Sequence, residues 1–259
     1  MDSLDTLIAD ARARLLRMHF ETRSGHVGGN LSCLDALLVL HHRVLQAQDR
    51  FILSKGHAAG ALYVTLWSLG LLTDDDLLTF GQDASRLPGH PSGTGIPGLL
   101  FSTGSLGHGP SLAAGLALAA RMQDSQRRVY CLCSDGEWQE GSCWEALTFA
   151  VHQRLDNLTI MVDQNGLQGF GTTQEVISCS DLSPRLLAFG AHVVRVDGHD
   201  TQALQSALMT RLSGAPTVLV MDTVKGRGAH YAGLLESHYL PLTQNQYDQA
   251  KAQLANETP

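Results

Sequence analysis

Two apolar runs, Arg128-Val129-Tyr130-Cys131-Leu132-Cys133 and Leu158-Thr159-Ile160-Met161-Val162, each end in a polar, glycine-bearing turn, and a helical stretch lies between them. A strand, a helix and a second strand in succession make a crossover unit whose strands are parallel neighbours, with their C-terminal ends side by side. Ser134-Asp135-Gly136 and Asp163-Gln164-Asn165-Gly166-Leu167 therefore fall on one edge of a sheet. Asp-Gly is also a common turn dipeptide. What separates this one from a bare turn is the apolar run before it and the helix that follows at once, which places Gly136 where backbone can approach an anion. The Asp135 carboxylate, the Asn165 amide oxygen and the Leu167 carbonyl form an all-oxygen donor set suited to Mg²⁺, which fills its remaining octahedral positions with phosphate oxygens and water.

The rest of the chain continues the alternation. Helical spacing of Leu4, Leu7, Ile8, Ala11, Leu15 and Met18 predicts a helix over residues 3–23. A loop over 24–30 follows, then a helix from near Ser32 to Leu45, a strand at 51–53 and a helix from about 58 to 69. Thr73 with three following aspartates reads as a helix start. Residues 81–104 are a glycine- and proline-rich passage of the kind that carries function when it lies inside a domain. A small-residue helix over 111–122 suits close packing or a subunit contact. Strands are expected at 158–162, 191–196 and 217–221, and helices near 140–153, 182–189 and 201–212. A polar helix at 243–255 carries Thr243 and Gln246 as a capping box. The pattern is α/β: a doubly wound, mainly parallel sheet with helices on both faces, in one domain over 1–259.

Composition excludes several classes. With 44% hydrophobic and 17% charged residues, the 259-residue chain is ordinary globular protein. A formal charge of -7 with no basic stripe argues against nucleic acid as a partner. No apolar stretch reaches membrane-spanning length, and Met1-Asp2-Ser3-Leu4-Asp5 lacks the start of a signal peptide, so a cytoplasmic protein is expected. The five cysteines, Cys33, Cys131, Cys133, Cys143 and Cys179, show no zinc-ribbon spacing and read as reduced thiols, Cys131 and Cys133 sharing one face of a strand.

Twelve histidines are more than such a chain needs, and four sit in glycine-containing loops. These are Ser24-Gly25-His26, Lys55-Gly56-His57, Gly89-His90-Pro91 and Gly104-Ser105-Leu106-Gly107-His108-Gly109. One such histidine is ordinarily structural. Four in order, ahead of an Asp/Asn metal turn, are not explained that way. Together with the run from Asp135 to Gly171 they resemble the transketolase family, specifically its N-terminal, diphosphate-binding half.

The resemblance implies thiamine diphosphate and Mg²⁺ as cofactors, the metal held by Asp135, Asn165 and the Leu167 carbonyl. It implies that His26 and His90 contact the oxygens of a ketose donor and that His57 lies beside the diphosphate. The Gly104 carbonyl would accept from the cofactor's amino group, Leu106 would pack on its rings, and the Gly136 amide would meet a phosphate oxygen. Val224 and Lys225 would close the thiazolium side, His238 would touch diphosphate and substrate, and Glu140 would be an acidic residue at a subunit contact. Cofactor chemistry of this kind leaves the protein to hold, desolvate and move protons, for which histidine is suited near pH 7.

Six positions depart from the family pattern. Ser134 replaces a glycine, and His108 stands where a glutamine is common. Gly169-Phe170 replaces a bulky aliphatic residue and an aspartate, leaving the thiazolium backing either rebuilt by Phe170 or looser. Ser237 and Tyr239 flank His238 in place of tryptophan and glycine. The family's pyrimidine-binding domain, with its activating glutamate, has no counterpart here. The expectation is thus the N-terminal subunit of a split, two-component transketolase, working with a separate C-terminal subunit, in a heterotetramer. Alternatives are a specialised ketol transferase with an unusual or carrier-bound acceptor, and a non-catalytic cofactor-binding scaffold. A thiamine-dependent decarboxylase fits the histidine loops less well.

Overall fold

The computed structural model describes residues 4–93, 95–178, 181–229 and 232–257. Five strands form one sheet: β1 (Arg50–Leu53), β2 (Val129–Ser134), β3 (Leu158–Gln164), β6 (His192–Asp197) and β7 (Thr217–Asp222). Their spatial order is β1-β2-β3-β7-β6, and every adjacent pair is parallel. Buried on both faces, β2, β3 and β7 read as near-continuous apolar runs, whereas β6 at one edge of the sheet is partly exposed. β2 and β3 are neighbours in register, Ser134 opposite Asp163, as the crossover argument requires.

Side-chain alternation splits the core in two. Tyr130, Leu132, Met161, Leu219 and Met221 face a cluster built with α1 (Leu4–Glu21), α2 (Val27–Val39), α3 (Ala59–Ser68), α9 (Thr201–Met209) and α11 (Gln244–Glu257). Val129, Cys131, Cys133, Ile160, Val162, Val218 and Val220 face α5 (Gly109–Met122), α6 (Gly141–His152) and α8 (Leu182–Ala188). Cys131 and Cys133 do share a face, their sulfurs 3.8 Å apart. Both are free thiols, as are Cys33 and Cys143; Cys179 lies outside the described residues.

One boundary differs in a way that matters. The loop expected over 24–30 ends at His26, and α2 starts at Val27 rather than near Ser32. Gly28 and Gly29 look like loop residues, yet every residue of α2 is buried and packing there outweighs helix propensity. A Cβ on Gly28 would collide with the Ser237 hydroxyl, so the helix can approach its neighbour only as glycine. α2 then runs into a π-helical turn over Leu40–Val44.

The remaining short elements lie in the connecting segments. They are α4 (Asp74–Leu77, capped by Thr73 and Asp76), the hairpin β4–β5 (Leu167–Gln168 and Gly171–Thr172), α7 (Thr173–Val176) and α10 (Glu236–Tyr239). The hairpin, α7 and α10 are additions to the elements expected from the sequence, although Thr172 and Glu175 form a capping box that the sequence displays. Residues 81–104 contain neither helix nor strand among those described.

Candidate active site

All five parallel strands deliver their following loops to one edge, and the backbone ladder carries on past them. The amides of Ser54 and Lys55 both donate to the Leu132 carbonyl, Asp135 N–H to Asp163 O, Thr223 N–H to Gln164 O and Gly198 N–H to Asp222 O. Each loop is thus fixed to the strand beside it. This is the edge where open parallel sheets place ligands.

At its centre Lys55 and Asp163 form an ion pair with no solvent exposure at either side chain. Lys55 also donates to Gly29 O at 2.9 Å, and Asp163 accepts from the hydroxyls of Ser32, at 2.6 Å, and Thr223. Burial alone would push the lysine pKa down and the aspartate up, but the mutual attraction wins and holds both charged. Asp163 reads locally as the start of a turn, and its partner lies 108 residues away, so no local pattern announces the pair.

Beside it, Asp135 accepts from its neighbour Gly136 N–H at 2.8 Å and from Gly166 N–H at 2.6 Å. No cationic side chain hydrogen-bonds it among the described residues. Burial, and then the Asp163 charge, push its carboxyl up to about 6. Asn165 Oδ1 takes the Leu167 amide at 3.1 Å, while the Leu167 carbonyl accepts the Lys225 ammonium at 3.0 Å. A buried carboxylate lacking a bonded cation, next to an amide oxygen and a carbonyl that already attracts one, fits a hard divalent cation. No group of three His, Cys, Asp or Glu among the described residues could hold a metal, so such an ion relies on these neutral oxygens.

The histidines converge on the same place. The His26 ring lies 5.7 Å from His57, 5.9 Å from His90 and 5.2 Å from His238, centroid to centroid. His26 holds a left-handed backbone, φ 65°, and its N–H donates to His238 O at 2.8 Å. Its Nδ1 is shielded and has no partner among the described residues, a polar atom that a ligand could satisfy. Burial lowers the pKa of all four, that of His238 to about 3 with help from Lys225, so they are neutral near pH 7. Lys225 donates to or shares a proton with His238 Nδ1 at 2.7 Å, and burial followed by the Lys55 charge brings its own pKa down to about 8.

The remaining expected residues line the approaches. Gly104 takes φ +146°, and a Cβ on it would come within 3.0 Å of the His90 ring. Leu106 is half-buried in a loop held by Glu137, a fully buried residue that no sequence motif marks. Glu137 accepts from Gly107 N–H at 2.8 Å, Ser134 N–H at 3.2 Å and the Ser54 hydroxyl, joining the 104–109 loop to the ends of β1 and β2. Val224 is partly exposed at the end of β7, and Glu140 is exposed. His108 is the N-cap residue of α5. Phe170 is 87% exposed. Beside it, the Tyr239 hydroxyl occupies the place where a Gly169 Cβ would be, and its ring packs on His238 at 4.4 Å.

Known proteins agree with this architecture. Residues 5–258 match the family model described as transketolase, thiamine diphosphate binding domain. The chain is 35% identical to one subunit of the apulose-4-phosphate transketolase of Phocaeicola vulgatus, over 96% of this chain and 93% of that one. It is 38% identical to the 6-deoxy-6-sulfo-D-fructose transketolase subunit SqwG of a Clostridium species, over 90% and 89% respectively. The transketolase of Leishmania mexicana superposes with a TM-score of 0.91 at 30% identity, covering 98% of this chain and 42% of that one. The chain thus spans about two fifths of that solved transketolase. By sequence and by fold, it belongs to the transketolase family and corresponds to its N-terminal, thiamine-diphosphate-binding portion.

Proposed function

We propose that this chain is the diphosphate-binding subunit of a two-component transketolase, active with a separate chain that carries the pyrimidine-binding domain. The observation that carries the reading is the meeting of four neutral histidines with the Asp135, Asn165 and Leu167 oxygens at one sheet edge. Relatives of nearly the same length are named as single subunits of a transketolase, which supports a partner chain. Cofactor sites built between subunits make a heterotetramer the expected assembly.

Thiamine diphosphate, when bound, supplies the carbon nucleophile and electron sink for moving a two-carbon ketol unit from a ketose donor to an aldehyde acceptor. Asp135, Asn165 and the Leu167 carbonyl would hold Mg²⁺, with His57 and the Gly136 amide toward the diphosphate. His26 and His90 hold donor oxygens, and as neutral imidazoles each can accept or donate a proton there. Gly104, Leu106, Val224 and Lys225 would line the cofactor site, and His238 would contact diphosphate and substrate. The scaffold alternative has no use for a buried, unpartnered His26 nitrogen.

A second reading concerns the substrate. Tyr239, packed on His238 where the family pattern has glycine, adds a ring beside the histidines and favours a specialised donor or acceptor. The names of the two relatives, one acting on a sugar phosphate and one on a sulfosugar, support that direction. The test is recovery of the chain with its partner from native cells, followed by ketol-transfer assays of the pair. Transfer by the pair and none by either chain supports the proposal; full-rate transfer by this chain alone would overturn it. No helix among the described residues is long and apolar enough to cross a membrane, and we place the pair in the cytoplasm.

A further inference from the structure

On the far side of the Lys225 loop, a second buried network runs from α1 to the backbone of Val224. Arg12 donates to both oxygens of Asp35, at 2.9 and 2.7 Å. Asp35 has no solvent exposure, and its Oδ2 also meets His199 Nδ1 at 2.8 Å. The opposite ring nitrogen, Nε2, faces the Val224 N–H at 3.0 Å. A backbone amide can only donate, so Nε2 must be the unprotonated nitrogen and Nδ1 must carry the hydrogen given to Asp35. The carboxylate thereby selects the one tautomer that can hold Val224.

What this bond secures is the start of a short segment otherwise fixed only in part. Val224 follows the Thr223 hydroxyl bond to Asp163 and precedes Lys225, whose ammonium sits on Leu167 O and His238 Nδ1. Further along, Gly226 N–H donates to Gly28 O at 2.9 Å and Arg227 N–H to Val224 O at 3.1 Å. Between the two outer anchors the Val224 amide has His199 alone. His199 itself is fixed at its backbone, its N–H donating to Asp197 Oδ1 at 2.8 Å. Of the expected cofactor and substrate residues, the network bonds directly only to Val224, through its backbone amide.

We propose that His199, oriented by the Asp35–Arg12 ion pair, is a positioning residue of the site: it holds the Val224 amide and so sets where Lys225 stands against Leu167 and His238. A carboxylate fixing an imidazole tautomer, and the imidazole in turn fixing a functional group, is a familiar division of labour in catalytic sites. Here the group placed is a main-chain segment. The functional half of the proposal rests on the transketolase reading, whereas the network does not.

The test has two arms. In the first, hydrogen exchange is followed by mass spectrometry on the chain alone, as wild type, His199→Phe and Asp35→Asn. His199→Phe keeps a ring and removes both bonds. Asp35→Asn keeps the side-chain shape but can donate to Nδ1, which allows the tautomer that repels the Val224 amide. Loss of one buried hydrogen bond should speed exchange in residues 222–229 about five- to tenfold, with the β2 and β3 amides unchanged. In the second arm, thiamine diphosphate affinity of the assembled pair is measured in the presence of Mg²⁺. It should weaken severalfold in both variants and recover in part in His199→Gln, whose side-chain oxygen can accept from Val224. Unchanged exchange in both variants would overturn the network. Faster exchange with unchanged cofactor affinity would overturn the positioning role. A wild-type pair that binds no thiamine diphosphate would instead overturn the transketolase reading, and the exchange result would stand apart from it.

Discussion

The Lys55 ammonium and the Asp163 carboxylate pair at the end of the sheet with no exposure at either side chain, and the Lys55 charge acts on His57, Asp135, Lys225 and His238 around them. A buried pair is not in itself strong evidence of stability, but removing one member strands the other charge in the interior. Lys55→Met should lower unfolding free energy by about 3–5 kcal/mol. Adding Asp163→Leu should recover a good part of that, because the stranded charge is gone. Urea denaturation of the two variants checks this; equal loss in both would mean that the pair does more than neutralise itself.

Glu137 ties three segments through one carboxylate, and burial raises its pKa against the three hydrogen bonds that lower it. Glu137→Gln replaces one acceptor oxygen with a donor, which faces a donating amide in either orientation: Ser134 N–H on one side, or Gly107 N–H together with the Ser54 hydroxyl on the other. The 104–109 loop should exchange its amides about tenfold faster, in keeping with loss of a charge-assisted bond. Exchange in the helix α6 that follows should not change.

Gly169 and Tyr239 form a coupled pair, since a Cβ on the glycine would meet the tyrosine hydroxyl. Tyr239 is 53% exposed and can swing away. Gly169→Ala should therefore displace Tyr239 and shift stability by less than about 1 kcal/mol. In the assembled pair, donor KM should change severalfold. Combined with Tyr239→Ala it should add nothing to the effect of Tyr239→Ala alone, a departure from additivity that reports the contact.

The buried histidines set an acid limit on the fold. His19 is fully buried, bonded to Leu15 O at 3.1 Å, and burial lowers its pKa to about 4. Above pH 6.5 neither state binds its proton. Between 6.5 and 4 the unfolded chain binds it and the native chain does not, so stability falls as pH falls; below 4 both bind and the slope ends. From about pH 7.5 to about pH 5, His19 alone removes about 2 kcal/mol. His41, His57 and His238 act in the same direction. Denaturation midpoints at the two pH values measure the sum, and His19→Asn should flatten the dependence.

The parallel sheet is legible in the sequence because its strands are apolar runs ending in polar turns, and adjacency of β2 and β3 follows from chain order. Asp135, Asn165 and Leu167 can be read together for the same reason. The order of the histidine loops points to one site, although only the fold shows the His57, His90 and His238 rings within 6 Å of His26 and leaves His108 exposed at the start of α5. Residues whose partners are remote are not legible. Lys55 with Asp163, Glu137 with Gly107, and Asp35 with His199 are joined only by tertiary packing. The start of α2 is hidden because Gly28 and Gly29 signal a loop locally, while the space beside Ser237 demands glycine at position 28 of a helix.

The central claim is that the Asp135 end of β2 holds the metal and diphosphate of thiamine diphosphate. The most direct measurement is thiamine diphosphate binding by the assembled pair, with and without Mg²⁺, for wild type and Asp135→Ala. The account predicts Mg²⁺-dependent binding that weakens at least about a hundredfold in the variant, as expected for loss of the only carboxylate in the donor set. Binding that ignores Mg²⁺, or that survives in Asp135→Ala, would contradict it.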